Sequence, residues 1–198
     1  SYSNEITNNS GKKSSLVRSA MSTVNPNLSP AIDVEKATSY VINNLVNNVS
    51  TGETSTSGGD AAARYITRRV TLTENQTAED LNVFLTAYKP DKTNIKVYYK
   101  ILNSLDSDDF DDKSYVEMSQ NTNVGVNSVE KKLDDFIEYK YVIASANKTG
   151  TNGEVTYTNA AGSTFTGFNT FALKIVMLSS TDVVVPQIRD MRAIALQI

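Results

Sequence analysis

At 198 residues the chain is long enough for one domain with a sizeable core, or one domain with a long arm. Its formal net charge of -3 and pI near 5.1 lack the basic field on which non-specific nucleic-acid binding depends, so nucleic acid is not an expected partner. The absence of cysteine and histidine removes disulfides, thiolate metal sites, the commonest zinc ligand and the commonest general base, and no cofactor is expected.

The leading residues, 1–59, are dominated by Ser, Asn and Thr in clusters such as "TNNSGKKSS" and "STGETSTSGG", a composition that reads as disorder or linker. The first 30 residues read as an extended low-complexity arm. Fixing such a segment costs roughly 1–2 kcal/mol per residue in backbone entropy. Its larger apolar side chains, Tyr2, Ile6, Leu16, Val17, Met21, Val24 and Leu28, return roughly 1.5–3 kcal/mol each only when fully buried. These seven are therefore the candidate partner-binding residues, laid along a neighbouring subunit; packing on the arm's own domain is the alternative. The arm lacks the apolar centre of a signal peptide, and no run reaches the roughly eighteen apolar residues of a membrane span, so no membrane partner is expected. A chain that starts at Ser1 rather than Met reads as processed or as a fragment.

Residues 31–198 read as a β-sandwich domain, with 31–60 supplying leading strands ("LSPAIDVE", "ATSYVINNLVNN") and a linker. "RYITRRVTL" alternates Ile66, Val70 and Leu72 with Tyr65, Thr67, Arg69 and Thr71, with Arg68 interrupting the apolar face. "DLNVFLTAY" sets Leu81, Val83, Leu85 and Ala87 on one face, and "NIKVYYKIL" does the same with Ile95, Val97, Tyr99 and Ile101. The "KPDKT" between them predicts a hairpin. "SYVEM" is a further short strand. "SVEKKLDDFIEYKYVIAS" predicts a helical turn over 129–133 and a strand from about Asp135.

A turn-rich stretch with a short strand at "EVTYT" reads as a long hairpin loop. "FALKIVML", apolar on both faces, predicts a central strand, and "RAIALQI" a second core strand after a connection that keeps Pro186 out of a ladder. Many short strands with few helical patterns predict an all-β fold, an antiparallel jelly-roll-like β-sandwich with an extended N-terminal arm.

Few residues form a pattern that carries chemistry. "LDSDDFDDK" offers a calcium candidate in Asp106, Asp108 and Asp111, but it lacks the glycine and terminal Glu of an EF-hand loop, and a solvated acidic turn is the plainer reading. Asn147, Lys148 and Thr149 match a glycosylation acceptor, a short signal that chance explains. The tyrosines, Tyr65, Tyr98, Tyr99, Tyr139 and Tyr141 among them, sit mostly in strands, where packing is the default role and a sugar-binding groove the alternative. No pair of residues stands out as catalytic, so the chain is not expected to be an enzyme.

Taken together, "SPAID", "ARYITRRVTL", "AEDLNVFLTAYKP", "IKVYYKIL", "DDFDDKSYVEM", "FTGFNTFALKIVMLSS" and "VVPQIRDMRAIAL" resemble the β-domain of virion structural proteins from contractile-tailed bacteriophages, of T4-like and cyanophage type. The resemblance runs from about Ser29 to the C-terminus. It implies a non-enzymatic virion protein of the tail or baseplate, or of an adjoining connector or fibre-attachment region. Its implied partners are other virion proteins or copies of itself, in an oligomer within the particle. Relatives usually place a glycine in the turn that here reads Pro90-Asp91-Lys92-Thr93, and Tyr115 stands where tryptophan is expected. Two rival readings are a carbohydrate-binding β-sandwich for host receptor recognition and a glycan hydrolase with two facing carboxylates.

Overall fold

The computed structural model describes residues 20–24, 27, 31, 46, 48–130, 132–181 and 184–198. The chain divides into Ser1–Asn43 and Asn44–Ile198, and every element below belongs to the second unit. The expected leading strands fall almost entirely outside the described residues, as do Tyr2, Ile6, Leu16, Val17 and Leu28; Met21 and Val24 are exposed.

In chain order the strands are β1 (Ala63–Ile66), β2 (Val70–Thr71), β3 (Asp80–Tyr88), β4 (Thr93–Leu102), β5 (Val116–Glu117) and β6 (Ser119–Gln120). They continue with β7 (Ile137–Val142), β8 (Thr156–Thr158), β9 (Thr164–Thr166), β10 (Thr170–Ser179) and β11 (Gln187–Leu196). One sheet runs β1-β10-β4-β5, with β2 also on β10; the second runs β11-β3-β7-β6; β8 and β9 form a separate hairpin. All strand pairs are antiparallel. The expected all-β sandwich is therefore present as two antiparallel sheets sharing one core.

The period-two reading of β3 and β4 holds. Leu81, Val83, Leu85 and Ala87 are completely buried, and they join Ile95, Val97, Tyr99 and Ile101 in the core together with Tyr139, Tyr141, Leu173 and Ile175. Burying each larger aliphatic side chain contributes roughly 1.5–3 kcal/mol. The buried Tyr141 hydroxyl donates to the Ile95 carbonyl at 3.0 Å and that of Tyr139 to the Val126 carbonyl at 3.1 Å, so neither polar tip is left unpaired. Strand β10 is buried on both faces, as a central strand should be.

The expected hairpin between β3 and β4 is not formed. The neighbours of β3 are β11 and β7, those of β4 are β10 and β5, and residues 89–92 carry the chain across from one sheet to the other. Alternation cannot distinguish these outcomes, because both present one apolar face to the same core. The crossing is anchored by Ser128, whose backbone N–H donates to the Lys89 carbonyl and whose hydroxyl accepts from the Lys89 N–H, at 2.8 and 2.9 Å. Lys92 holds the turn with φ +66°, a left-handed conformation that suits glycine. Lys92→Gly is expected to raise unfolding free energy by about 0.5–1 kcal/mol, read from urea denaturation; the relief of strain outweighs the extra unfolded-state entropy of glycine.

Three further expectations are corrected. "RYITRRVTL" is two strands. Ile66 pairs with Lys174 and Val70 with Phe171, so four residues on one strand match three on the other, and the extra residue flips the faces. Ile66 thus lies beside Lys174 on the outer face and Val70 beside Phe171 at the sheet edge; both are exposed rather than core, and Tyr65 is 55% exposed. "RAIALQI" belongs to an edge strand, not a core strand: among the described residues β11 pairs only with β3, and no residue in it is fully buried. In place of a helical turn, the Lys132 N–H donates to the Val129 carbonyl and the Asp135 N–H to the Lys132 carbonyl, with Val129 and Leu133 exposed, and the following strand starts at Ile137.

Candidate functional site

Three features rise above ordinary packing: an ion pair buried under a loop, a polar cleft, and an open flank. The first lies on the outer face of the β1-β10-β4-β5 sheet. Lys174, in the middle of β10, is completely buried; its ammonium meets Glu53 at 2.9 Å, donates to the Glu53 and Gly58 carbonyls, and lies 4.7 and 4.6 Å from the rings of Tyr98 and Tyr115. Burial pushes the Glu53 carboxyl up, but the hydrogen bonds from Lys174 and from the Ala61 N–H, with the Lys174 charge, bring it below its usual value. Residues 51–60, expected as linker, are thus a series of turns that covers this face, and Ala61 joins Tyr98, Tyr115, Val176 and Leu178 in a second apolar cluster. Gly59 sits at φ +82°, and a Cβ there would lie 2.4 Å from Glu53 Oε1 and 2.7 Å from its Cα. Gly59→Ala is expected to cost about 1–3 kcal/mol in denaturant unfolding.

The cleft, about 390 Å³, lies where the acidic loop after β4 meets the β8–β9 hairpin, and its walls include Tyr99, Asp108, Lys113, Asn147, Tyr157 and Asn159. Asp106 anchors one side. Its buried carboxylate accepts from Lys113 Nζ at 2.5 Å, the Tyr157 hydroxyl at 2.8 Å, Asn159 Nδ2 at 3.1 Å and the Asp108 N–H at 3.1 Å. Burial raises the Asp106 carboxyl, yet these donors, Lys113 foremost, hold it well below the carboxylate range. Lys113 Nζ also meets Asp108 at 2.7 Å, and Asp108 accepts from the Ala160 N–H. Burial and a hydrogen bond from Asn147 act in opposite directions on the Tyr99 phenol, which ends up raised to about 12.

The calcium candidate is thereby relocated in meaning. Asp106 and Asp108 do converge, but on the ammonium of Lys113, and Asp111 is apart from them, its carbonyl accepting from Lys100 Nζ. Among the described residues no group of three or more acidic side chains is placed to hold a metal ion. The tyrosines divide: Tyr98, Tyr99, Tyr139 and Tyr141 are buried, Tyr65 is not. On the cleft wall the Tyr157 ring stacks with Phe165 at 5.7 Å and lies under Lys113 Nζ at 5.0 Å. Two further lysines, Lys89 and Lys100, are buried with their ammonium pKa lowered by desolvation, but neither lines the cleft.

The two flanks of the sandwich differ. On one, residues 116–120 run through β5 in the first sheet and β6 in the second, with the buried Met118 between them, so the chain itself closes the gap. On the other flank the edges are β1 and β2 in one sheet and β11 in the other. Between them lies a mostly apolar groove of about 360 Å³ whose walls include Tyr65, Met177, Ile188 and Met191, together with Arg189 and Asp190. Strand β11 has a register shift between Ile188 and Asp190, a bulge that leaves Arg189 3.9 Å from the Phe136 ring. The sequence points to assembly through sheet edges without saying which strands form them, because a strand's neighbours are not written in its own alternation.

No protein-family model, curated protein or solved structure matches the chain.

Proposed function

We propose that the chain is a non-enzymatic structural component of a tailed-phage virion. Its place is in the tail or baseplate, or in an adjoining connector or fibre-attachment region, and it joins its neighbours through its N-terminal arm and its open sheet flank. The observation that supports an assembly role is the asymmetry of the flanks. A ten-residue edge strand beside an apolar groove is a feature that monomeric β-proteins blunt and assembling ones use. The virion setting rests on the resemblance of the seven strand segments quoted above. Sugar recognition is favoured less by the cleft, because the ring of Tyr157, the aromatic side chain on its wall least buried, is already engaged by Phe165 and Lys113. Of the cleft carboxylates, Asp108 is committed to Lys113 and to the Ala160 N–H. Immunogold labelling of purified phage particles with antibody against this chain tests the proposal. Label at the tail or its base is expected; particles free of the chain, together with glycan-array binding, would replace it with the receptor-recognition reading.

A further inference from the structure

We infer that the partner of the open flank is a second copy of this chain, with β11 pairing antiparallel to β11 about Met191. This rests on the reading of the flank as an assembly surface and names its occupant. The sequence of β11 around that residue is close to a charge palindrome, Ile188-Arg189-Asp190-Met191-Arg192-Ala193-Ile194. In an antiparallel pair centred on Met191, Asp190 of each copy stands opposite Arg192 of the other. The two side chains share a face: Asp190 is aligned with Thr86 and Arg192 with Phe84, both on the outer side of β3, whose inward residues are Leu81, Val83, Leu85 and Ala87. Opposite charges directly across an antiparallel pair are favourable and like charges are not, so the two-fold arrangement adds two cross-copy pairs to the exposed contacts that Arg192 makes with Glu138 and Asp190 in its own chain.

Met191, aligned with the buried Leu85, lies on the inner face at the groove. Its own copy stands across the axis, and the apolar walls formed by Tyr65, Met177 and Ile188 are brought under cover. The bulge at Arg189 stops the ladder from extending toward Gln187, which fixes a short register rather than an open-ended one. A two-fold contact of this kind closes on itself, whereas an unrelated register permits chains of copies.

The absence of cysteine makes the test clean. Met191→Cys is expected to give a disulfide-linked dimer under mild oxidation, because directly opposed residues of an antiparallel pair lie within disulfide reach. Ala193→Cys, which the register separates from its own copy by four positions along the strands, is expected to stay monomeric on denaturing gels. In sedimentation equilibrium of the full chain, Asp190→Arg is expected to weaken self-association roughly tenfold, by placing Arg opposite Arg192. The swap Asp190→Arg with Arg192→Asp is expected to bind more tightly than Asp190→Arg alone, an outcome that a folding defect does not produce, while giving up the Arg192–Glu138 ion pair within each copy. Cross-linking through Ala193→Cys but not Met191→Cys, or a wild-type chain that remains monomeric at every concentration, overturns the inference. A monomeric chain that still labels particles would leave the assembly proposal standing. A β11-paired dimer that is missing from particles would do the reverse.

Discussion

Replacing Glu53 by glutamine is expected to destabilise the sandwich by about 3–5 kcal/mol, the typical cost of removing one partner from a buried ion pair. The lysine it leaves behind, Lys174, is completely buried in the middle of the central strand β10. Glutamine keeps an acceptor for the Ala61 N–H, so the loss reports mainly on the uncompensated charge. Lys174→Met in the same background removes that charge, and the double variant is expected to be more stable than Glu53→Gln alone, with a coupling above about 1 kcal/mol in a double-mutant cycle read by urea unfolding. Additive effects would show that the pair is not the element that fixes residues 51–61 to the sheet.

The second large effect is expected at Asp106. Asp106→Asn keeps the side-chain shape but removes the charge that Lys113, Tyr157 and Asn159 are arranged around, and a loss of about 3 kcal/mol near neutral pH follows from leaving the Lys113 ammonium with Asp108 alone. The pH dependence has a definite sign. Because the folded carboxyl is held below its ordinary value, its contribution is fully present above the unfolded pKa of about 3.9 and is lost as pH falls below that toward the folded value. Lys113 is shifted the other way: burial lowers it, but Asp106 and Asp108 raise it above 10.5 overall, so its contribution is lost only as pH rises past that region. The stability difference between wild type and Asp106→Asn should therefore be flat from about pH 5 to pH 9 and shrink in acid below about pH 4. A difference that persists undiminished in acid would contradict the assignment. Protease cutting within the acidic loop of the variant, near Leu105, is the expected local consequence, since that exposed loop is tied to the β8–β9 hairpin through Asp106.

How much of this was readable beforehand differs from residue to residue. The alternation of Leu81, Val83, Leu85 and Ala87 fixed an inward face for β3, and the doubly apolar "FALKIVML" correctly marked β10 as central, because both signals are local. Which sheet each strand joined was not local, so "KPDKT" read as a hairpin while the chain crosses between sheets, and "RAIALQI" read as core while β11 lies at an edge. The buried pair was half legible. A lysine flanked on both sides by apolar residues, as Lys174 is, signals an ammonium that needs a partner, but nothing in "STGETSTSGG" marks Glu53 as that partner. The acidic run reads as a solvated turn or a calcium candidate, whereas the buried Asp106 carboxylate and Asp108 converge on a cation and Asp111 does not. The cation is Lys113, from the same run, which a spacing rule written for metals does not consider.

Hydrogen exchange along β11 tests the assembly reading most directly. In the dilute full chain, alternate amides of this strand point away from β3 and should exchange freely, while residues 116–120 on the closed flank are held by their own sheets. In the assembled state, at high concentration or within particles, the free amides around Met191 should become protected and residues 116–120 should not change. An exchange pattern of β11 that is the same in both states would contradict an assembly surface at this flank.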